Sequence, residues 1–600
     1  MSERQAWPGQ PYLDALRPEH ASVVKLALFT TYSLDISAVT ATLLALIGRN
    51  NDKGSGTAAD FAEAIDAMRD KVRILIQRGR IARPIRLPKI AGILDQFIVE
   101  QDHDEATRSW HPKIALVAYE GPKERRSWKL WVGSRNLTRS RDLDVGILIE
   151  GTPRRSKGKS KLRGIGRLGR KLAEDARIGV AESIEAELED LWWEAPLGYS
   201  LLALLNGLDD GVALPMKPPE GKLAAVTIVS PFLCPIFLKM AGQWGPDDAR
   251  TIVSTMPTLV DMANRPGHPL RGFSKIFAYE APDLSLEELP EEPTASGSEQ
   301  DDSEPVPPSL HAKLFCFEVG AQSIVRVGSA NATNRAWSGR NAEVMVEFIG
   351  GDEFKRGLGF LVGSAKPVKI EALEATLPSE RSATDVLEES RQKLVAEWDP
   401  QLLREGECFT LVLKQAPWLL HKEHTLEAGL ANGDLLPWPK DNTRLGLGQV
   451  PLSHQSAFIQ VRISGPDGNL SWIQCVPVTP PLDGRRDLAA LARHLGPRAF
   501  YDWMRAMLSG DQLPAGDNNW DDVPSQSKLQ REGITYERLT LEDILMAWAR
   551  DKNAFARADR HFGPYVDAIL AHGQDLAEAE KTNLRELAEI WAMARERLTP

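Results

Sequence analysis

Short apolar runs separated by charged turns fill the N-terminal third of the chain, and they predict strands and helices in alternation. Val23 to Tyr32 is mostly apolar and predicts a strand, and apolar residues at helical spacing from Ile36 to Ile47 predict a helix. The runs 114–117 and 129–132 flank a charged turn, which predicts a hairpin of buried strands. Asp144 to Ile149 predicts one further strand.

The same order of elements repeats in the next third of the chain. Leu223 to Val229 predicts a strand, and residues 233–240 predict a helix after it. Further strands are predicted at 251–254, 314–317, 324–327 and 344–349. A repeat of about 200 residues is far longer than the period of a solenoid, so it indicates duplication of a whole domain. Because each half mixes strands and helices, the predicted fold class is α/β.

The pattern changes beyond residue 376. Residues 405–480 contain short β-rich runs separated by Gly, Pro, Asn and Asp turns, which predicts a small β domain. From Leu488 onward, helical periodicity with abundant Ala, Leu, Arg and Glu predicts a helical C-terminal region. Neither part carries a chemical motif, so the sequence predicts no role for them.

Composition places the chain among ordinary globular proteins, with 42% hydrophobic and 26% charged residues in a total of 600. That length predicts three or four domains. The N-terminus lacks the apolar segment of a signal peptide, and no apolar run is long enough to span a bilayer. The four cysteines lie far apart and form no zinc-binding spacing. We therefore expect a cytoplasmic protein that makes no membrane contact.

The net charge of −11 is distributed unevenly. Residues 281–305 carry nine acids and no lysine or arginine, and the Pro-, Glu-, Ser- and Asp-rich stretch 281–309 predicts a disordered insertion. Two interpretations stay open for it, a tolerated surface insertion or an acidic flap that excludes nucleic acid.

A basic segment balances the acidic one, since residues 154–171 hold nine basic residues and no acid. Gly164, Gly166 and Gly169 within it indicate an exposed loop, with a polar helix following from about Leu172 to Trp193. It is either a solvated loop or a grip on the phosphate backbone of a nucleic acid. The candidate nucleic-acid-binding residues are Arg154, Arg155, Lys157, Lys159, Lys161 and Arg163.

Two copies of one motif carry the chemistry. The first copy is His111-Pro-Lys113 with Asn136 downstream in Val-Gly-Ser-Arg-Asn-Leu-Thr, and the second is His311-Ala-Lys313 with Asn331 in Val-Gly-Ser-Ala-Asn-Ala-Thr. Histidine can attack a phosphodiester directly, and a second histidine can protonate the leaving oxygen. Residues two apart on a strand point the same way, so each His-x-Lys pair lies on one face. The two copies together predict one active site built from two halves.

These motifs resemble those of the phospholipase D superfamily, whose mark is His-x-Lys with a downstream Gly-Ser-x-Asn, over roughly residues 20–375. The aspartate that the family usually has five positions after the lysine is absent, with Ala118 and Glu318 in its place. Tyrosyl-DNA phosphodiesterases within the superfamily also lack that aspartate. The stretch from Gly328 to Trp337 is similar to theirs and to that of related bacterial nucleases.

The resemblance assigns a role to each motif residue. It implies that His111 and His311 are nucleophile and general acid, with His111 favoured as the nucleophile. Phosphoryl oxygens would be bound by Lys113, Lys313, Asn136 and Asn331, with support from Ser134 and Ser329. Glu343 matches the acid that orients a histidine in the family, and Asp144 is a candidate for the same role in the first half. No metal or cofactor is implied.

The expected architecture is a pseudo-two-fold pair of phospholipase D-like α/β sandwich halves, followed by a small β-rich domain and a helical region. The boundaries are 1–215, 216–375, 376–485 and 486–600.

The expected function is metal-independent cleavage of nucleic acid through a phosphohistidine, with DNA favoured over RNA. Analogy alone suggests bacterial nucleic-acid defence. Two alternatives stay open, a lipid phosphodiesterase and a non-catalytic nucleic-acid-binding subunit. Protein partners are expected to bind through the C-terminal half.

Overall fold

A computed structural model describes most of the chain. The described residues are 12–19, 22–50, 56–84, 87–88, 90–122, 125–280, 309–378, 382–509, 539–572 and 576–598. The acidic insertion predicted at 281–309 therefore lies outside the described residues, except for its last position. Within the described residues, no helix combines the length and apolar character needed to cross a bilayer.

The first half begins with the predicted strand and helix, and a second helix that the apolar pattern did not predict follows them. Its elements are β1 (Val23–Thr31), β2 (Leu34–Asp35), α1 (Ile36–Leu46), α2 (Ala58–Met68), β3 (Val72–Gln77), β4 (Ile81–Ala82), β5 (Ile98–Gln101), β6 (Ser109–Trp110), β7 (Ile114–Gly121), β8 (Arg125–Gly133), β9 (Gly146–Thr152), α3 (Ile165–Asp175), α4 (Ala181–Asp190) and β10 (Trp192–Glu194). Seven of the described strands form one sheet in the order β10-β9-β8-β7-β1-β3-β5. In that sheet β1 is parallel to β3 and antiparallel to β7.

The second half repeats the spatial order of this sheet, with an edge strand that precedes the other strands in the chain rather than following them. Its elements are β11 (Ser200–Asn206), β12 (Leu223–Val229), α5 (Pro235–Ala241), β13 (Arg250–Thr255), α6 (Met256–Ala263), β14 (Lys275–Tyr279), β15 (Leu314–Val319), β16 (Gln322–Gly328), α7 (Asn334–Trp337), β17 (Asn341–Ala342), β18 (Val344–Gly350), α8 (Asp352–Ser364), β19 (Lys366–Pro367) and α9 (Ile370–Glu374). The described strands pair in the order β11-β18-β16-β15-β12-β13-β14, with β19 added at the edge. Again β12 is parallel to β13 and antiparallel to β15.

The two sheets share a hydrophobic core. Leu26 and Leu28 of β1 belong to a buried cluster that also contains Val229 of β12 and Leu314 of β15. Side chains alternate along a strand, so the intervening positions of β1, such as Phe29, belong to a second cluster with α1 and α2. This arrangement confirms the predicted α/β fold class and its duplicated halves.

The C-terminal half begins with a helix that was not predicted and continues with strands followed by helices, as predicted. Its elements are α10 (Ala383–Glu397), β20 (Gln401–Glu405), β21 (Cys408–Val412), β22 (Thr425–Leu430), β23 (Leu436–Pro437), β24 (Arg444–Gln449), β25 (Phe458–Gly465), β26 (Gly468–Cys475), β27 (Val478–Thr479), α11 (Arg485–Ser509) and three helices at Leu541–Arg550, Lys552–His572 and Glu578–Leu598. One sheet runs β2-β4-β26-β25-β22-β23, so two short strands of the first half extend it.

Neither C-terminal region stands apart from the first half. Phe500 of α11 and Trp591 of the last helix belong to the same buried cluster as Phe29 and Phe61. Helix α11 therefore packs against α2, which lies on the outer face of the first sheet. The boundary placed at residue 215 also falls after β11, although β11 pairs with β18 of the second sheet.

The basic segment is only partly a loop, because its second part forms α3. Ile165, Leu168 and Leu172 of α3 are buried at helical spacing. Two of the glycines that suggested a loop serve close packing instead, since a Cβ at Gly166 would overlap Glu189 of α4 and one at Gly169 would overlap Leu188, whereas Gly164 precedes α3 in a left-handed conformation. The polar helix expected from Leu172 to Trp193 is correspondingly divided into α3, α4 and β10.

Candidate active site

The duplicated fold brings the two motifs to one end of the paired sheets. His111 and His311 lie three residues before β7 and β15, and Asn136 and Asn331 lie three residues after β8 and β16. In each half these strands are neighbours, so a histidine and an asparagine meet at the same sheet end. The sequence motifs of the two halves therefore occupy equivalent positions in the fold.

Backbone pairing crosses between the halves at this end. The N–H of His111 donates to the carbonyl of Ala342, with an N···O distance of 3.1 Å. Equivalently, the N–H of His311 donates to the carbonyl of Leu143 at 3.0 Å. Each histidine is thus anchored by the residue that directly precedes the acid of the opposite half.

The side chains cross in the same way. Nδ1 of His111 lies 2.9 Å from Oε1 of Glu343, and Nδ1 of His311 lies 2.7 Å from Oδ1 of Asp144. An ionised carboxylate only accepts hydrogen bonds, so each Nδ1 is the donor and each Nε2 keeps its lone pair. Asp144, expected to serve the first half, therefore contacts the histidine of the second.

The two motif serines hold the acids rather than facing a substrate. The hydroxyl of Ser134 donates to Oδ1 of Asp144 at 2.7 Å, and the hydroxyl of Ser329 donates to Glu343. Both serines are fully buried. Their predicted support of phosphate binding is thus indirect, because what they contact is the carboxylate that orients each histidine.

Both motif lysines are buried beside the histidines. Nζ of Lys113 donates to the carbonyl of His111 at 3.0 Å, and Nζ of Lys313 donates to the carbonyl of His311 at 2.6 Å. Burial lowers the pKa of Lys113 to about 8. Burial and the charge of Lys113 lower the pKa of Lys313 well below its usual value. Two buried ammonium groups that repel each other form a strong site for an anion.

The histidines are also shifted toward their neutral forms. Burial lowers the pKa of His111 to about 4, although Glu343 opposes that shift. Burial and the Lys313 charge lower the pKa of His311. Burial alone would raise the pKa of Glu343, but His111, Lys113 and Ser329 together hold it below its usual range. The free site therefore combines neutral imidazoles with ionised carboxylates.

The motif asparagines are oriented through their carbonyl oxygens. Oδ1 of Asn136 accepts from the N–H of Tyr32 at 3.3 Å, and Oδ1 of Asn331 lies 3.5 Å from the hydroxyl of Ser230. The hydrogen bond from Tyr32 leaves the Nδ2 group of Asn136 as its donor. This orientation suits the binding of phosphoryl oxygens.

Tyr32 was not singled out by the sequence, because it belongs to no motif. Its ring centroid lies 5.1 Å from that of His111 in an edge-to-face arrangement, and its hydroxyl donates to Glu105 at 2.9 Å. The Arg80 guanidinium covers the ring at 4.7 Å. Arg391 of α10 donates to the same Glu105 carboxylate at 3.1 Å, so the C-terminal half reaches the neighbourhood of His111.

The predicted nucleic-acid-binding segment lies away from these groups. Strand β9 (Gly146–Thr152) lies between Asp144 and this segment, and it spans about 20 Å. Lys159 donates to Thr152 at 2.8 Å, and Lys161 donates to the carbonyls of Glu189 and Asp190. Five of the six candidate residues are exposed: Arg154, Arg155, Lys157, Lys161 and Arg163. These residues do not line the histidine site.

Potential metal ligands are dispersed over the fold. Across the ranges that the structure describes, no group of three or more His, Cys, Asp and Glu side chains is placed to hold a metal ion.

Comparison with known proteins gives only distant similarity. No family model matches the sequence, and no curated protein matches it. Similar solved structures include polyphosphate kinase from Porphyromonas gingivalis, at 11% identity and a TM-score of 0.26, covering 56% of this chain and 41% of that chain. They also include two mutant structures of yeast tyrosyl-DNA phosphodiesterase, at 10% identity and a TM-score of 0.31, covering 57% of this chain and 85% and 86% of theirs. The chain thus spans less than half the length of the polyphosphate kinase. We therefore base the functional proposal on the geometry of the site.

Proposed function

We propose that this protein is a phosphodiesterase that works through a covalent phosphohistidine and requires no metal ion. One observation carries the proposal. Two histidines, each held at Nδ1 by a carboxylate from the opposite half, lie beside two buried lysines. The charges of both lysines act on both histidines. Together with burial, Lys113 and Lys313 lower the pKa of His111 and the pKa of His311. A phosphodiester anion is the ligand class that this charge arrangement suits.

In the first step His111 is the nucleophile. Its Nε2 lone pair attacks phosphorus, and the bond from phosphorus to the leaving oxygen breaks. His311, protonated at Nε2, gives that proton to the leaving oxygen. The bound phosphate supplies a negative charge beside His311 and both lysines, which favours their charged forms. Lys113 and Lys313 stabilise the charge that develops on the phosphoryl oxygens.

In the second step water replaces the histidine. His311, now neutral, accepts a proton from a water molecule whose oxygen attacks phosphorus. The P–N bond breaks and its electron pair returns to Nε2 of His111, which restores the protonation states that both histidines had before the first step. Each histidine thus ends the cycle in the state in which it began.

Three asymmetries support His111 as the nucleophile. The pKa of His111 falls to about 4, so this ring is neutral at physiological pH. Its acid, Glu343, is fully buried, whereas the side chain of Asp144 is 12% exposed. Tyr32 also packs against the ring of His111, and the corresponding place in the second half is taken by Pro231. A nucleophile benefits from such a fixed and dry position.

Nucleic acid is the substrate class that we propose. The loop that follows Asn136 carries two exposed cations, Arg139 and Arg141, directly beside the site. Fixed cations along a strand bind successive phosphates of a nucleic-acid backbone. A role in bacterial nucleic-acid defence and the preference for DNA stay predictions from the sequence.

The proposal is tested by hydrolysis assays in EDTA. The purified protein is incubated with bis(p-nitrophenyl) phosphate and with labelled DNA and RNA, and we expect turnover that is lost in His111→Ala and His311→Ala. His268→Ala is the matched control, because His268 is half-exposed and pairs with Glu374 outside the site. With radiolabelled substrate, His311→Asn should retain a base-stable, acid-labile label that His111→Ala cannot form. Absence of any phosphodiester turnover, or turnover that depends strictly on added metal, would overturn the proposal.

A further inference from the structure

An exposed aromatic residue stands at the rim of the second half of the site. Phe232 is 59% exposed although its neighbours Pro231 and Leu233 are buried, and Ile236, four residues on, is 67% exposed. Burying a phenylalanine stabilises a protein substantially, so a chain that leaves one in water at a functional site gives up that stabilisation.

The position of Phe232 relative to the site is fixed by hydrogen bonds. The hydroxyl of Ser230 donates to the carbonyl of Phe232 at 2.8 Å and lies 3.5 Å from Oδ1 of Asn331. The same hydroxyl accepts from the N–H of Ala332 at 2.9 Å. Leu233 forms a parallel bridge with Ala332, so the segment that carries Phe232 is held against the segment that carries Asn331.

The equivalent rim of the first half is polar and cationic. There the hydroxyl of Thr31 donates to the carbonyl of Ser33 at 2.6 Å, so Ser33 occupies the place of Phe232. Leu34 bridges Leu137 just as Leu233 bridges Ala332. On this side Arg139 is exposed, and its N–H donates to Asp35 at 2.8 Å. The two-fold related rims of the site therefore differ in chemistry, one aromatic and one basic.

We propose that the site takes an unpaired nucleic-acid strand, with the base beside the scissile phosphate stacked on Phe232 and the backbone on the other side lying along Arg139 and Arg141. This inference rests on the proposed function and names its substrate class. Every base has an aromatic face, and in a duplex that face is covered by its stacked neighbours. An exposed aromatic side chain next to a phosphate site therefore selects an unpaired base over a paired one. Phe232 offers nothing to the phosphate itself, which leaves the base as its partner.

The first experiment measures binding, so that it does not depend on cleavage. In the His111→Ala background, fluorescence anisotropy gives the Kd for a labelled single strand, for the same strand in a duplex, and for a strand with abasic sites. Phe232→Ala should weaken single-strand binding about tenfold or more and leave duplex and abasic binding nearly unchanged. Phe360→Ala is the matched control, because Phe360 is 41% exposed on α8. Equal effects of the two variants, or equal weakening of single-strand and duplex binding, would overturn the inference.

A second experiment locates the backbone. Each phosphate that a cation neutralises contributes about 0.7 to the slope of log K against log salt for a single strand. The double variant that combines Arg139→Gln and Arg141→Gln lacks both cations, so the magnitude of that slope should fall by about 1.4. The control is the double variant that combines Arg154→Gln and Arg155→Gln, which lie beyond the far end of β9 and should leave the slope unchanged. A smaller slope for the Arg154 and Arg155 variant, with no change for the Arg139 and Arg141 variant, would place the backbone on the basic segment. That result would overturn the proposed position of the backbone along Arg139 and Arg141.

A third experiment tests whether Phe232 contacts a nucleic-acid base or the acyl chain of a lipid. Hydrolysis of phosphatidylcholine vesicles is measured for the wild type and for Phe232→Ala. If this hydrolysis falls in Phe232→Ala while the binding of single strands does not change, Phe232 contacts acyl chains. That outcome would overturn the inference and leave the phosphodiesterase proposal standing. By contrast, absence of phosphodiester turnover by the wild-type protein, with intact Phe232-dependent strand binding, would overturn the proposed function alone.

Discussion

Glu343 lies in the second half of the molecule and hydrogen-bonds to His111 in the first, at a distance of 2.9 Å between Oε1 and Nδ1. The carboxylate is fully buried and also accepts from the Ser329 hydroxyl and from Nδ2 of Asn341 at 3.2 Å. Its position is thus fixed from three directions. Each half therefore depends on the other, since it lacks the acid that orients its own histidine.

Replacing this acid should impair the chemical step more than binding. In Glu343→Gln the amide can no longer fix the Nδ1–H tautomer, so Nε2 of His111 is not held as a lone-pair donor. We expect kcat to fall by between about 10² and 10⁴, with KM changed little. Steady-state kinetics with bis(p-nitrophenyl) phosphate measure both constants. Glu347→Gln is the control, because Glu347 is a neighbouring acid on β18 that pairs with Arg326. A change confined to KM would contradict the orienting role.

The pKa of His111 predicts how folding stability responds to acid. The folded-state pKa of about 4 lies below the ordinary value of 6.5, so the unfolded chain binds a proton more readily. This destabilisation is absent above pH 6.5, grows as pH falls, and is complete near pH 4, where it reaches about 3 kcal/mol. Urea unfolding of the wild type and of His111→Gln between pH 4 and 7 measures it. The stability difference between the two proteins should change across that window. A constant difference would mean that His111 titrates normally.

The sequence predicted the strands of the site well because their apolar runs are local signals. The strand predicted at Leu223 to Val229 has those bounds in the structure, whereas each His-x-Lys motif, predicted on a strand, lies directly before one. The repeat itself predicted two equivalent halves. These features depend on neighbouring residues, which a single sequence displays directly.

Crossed pairing could not be predicted in the same way. His111 and Glu343 are 232 positions apart, and His311 and Asp144 are 167 apart. A pseudo-two-fold arrangement allows an acid to serve either its own half or the other, and no local pattern distinguishes the two. Tyr32 escaped prediction for a related reason, because its importance arises from a tertiary contact with His111. The basic segment was taken for a loop because glycines that allow close helix packing resemble turn residues in a sequence.

Lys113 illustrates a conflict between stability and function. Its ammonium is fully buried and its pKa falls to about 8, so the folded state binds that proton less readily than the unfolded chain. The resulting destabilisation is full below pH 8 and disappears above pH 10.5. Lys113→Met should therefore be more stable than the wild type by about 1–3 kcal/mol at pH 7, although it should lose activity. Urea unfolding at pH 7 checks the gain, which should vanish at pH 10.5. Loss of stability at pH 7 would contradict a strained buried charge.

The same lysine predicts the alkaline limb of activity. As pH rises through about 8, Lys113 of the free enzyme loses its proton and its attraction for a phosphate anion. The value of kcat/KM should then fall, whereas kcat should hold to higher pH because bound phosphate keeps the lysine charged. Rate profiles from pH 6 to 10 with bis(p-nitrophenyl) phosphate separate the two constants. Parallel decline of kcat and kcat/KM would instead indicate loss of a group that the substrate does not stabilise.

Arg391 ties the C-terminal half to the surroundings of His111. Its side chain is 3% exposed, and it donates to Glu105 and to the carbonyl of Gly79 at 2.8 Å. In Arg391→Gln the buried Glu105 keeps Arg80 but loses one of its two cations, which should cost about 3 kcal/mol of unfolding free energy. The control is Arg462→Gln, because Arg462 pairs with Glu427 nearer the surface and its loss should cost less than about 1 kcal/mol. Since Tyr32 donates to the same Glu105, Arg391→Gln should also lower kcat, and Arg462→Gln should not. Equal stability losses with unchanged kcat in both variants would mean that α10 packs against the first half without influencing the site.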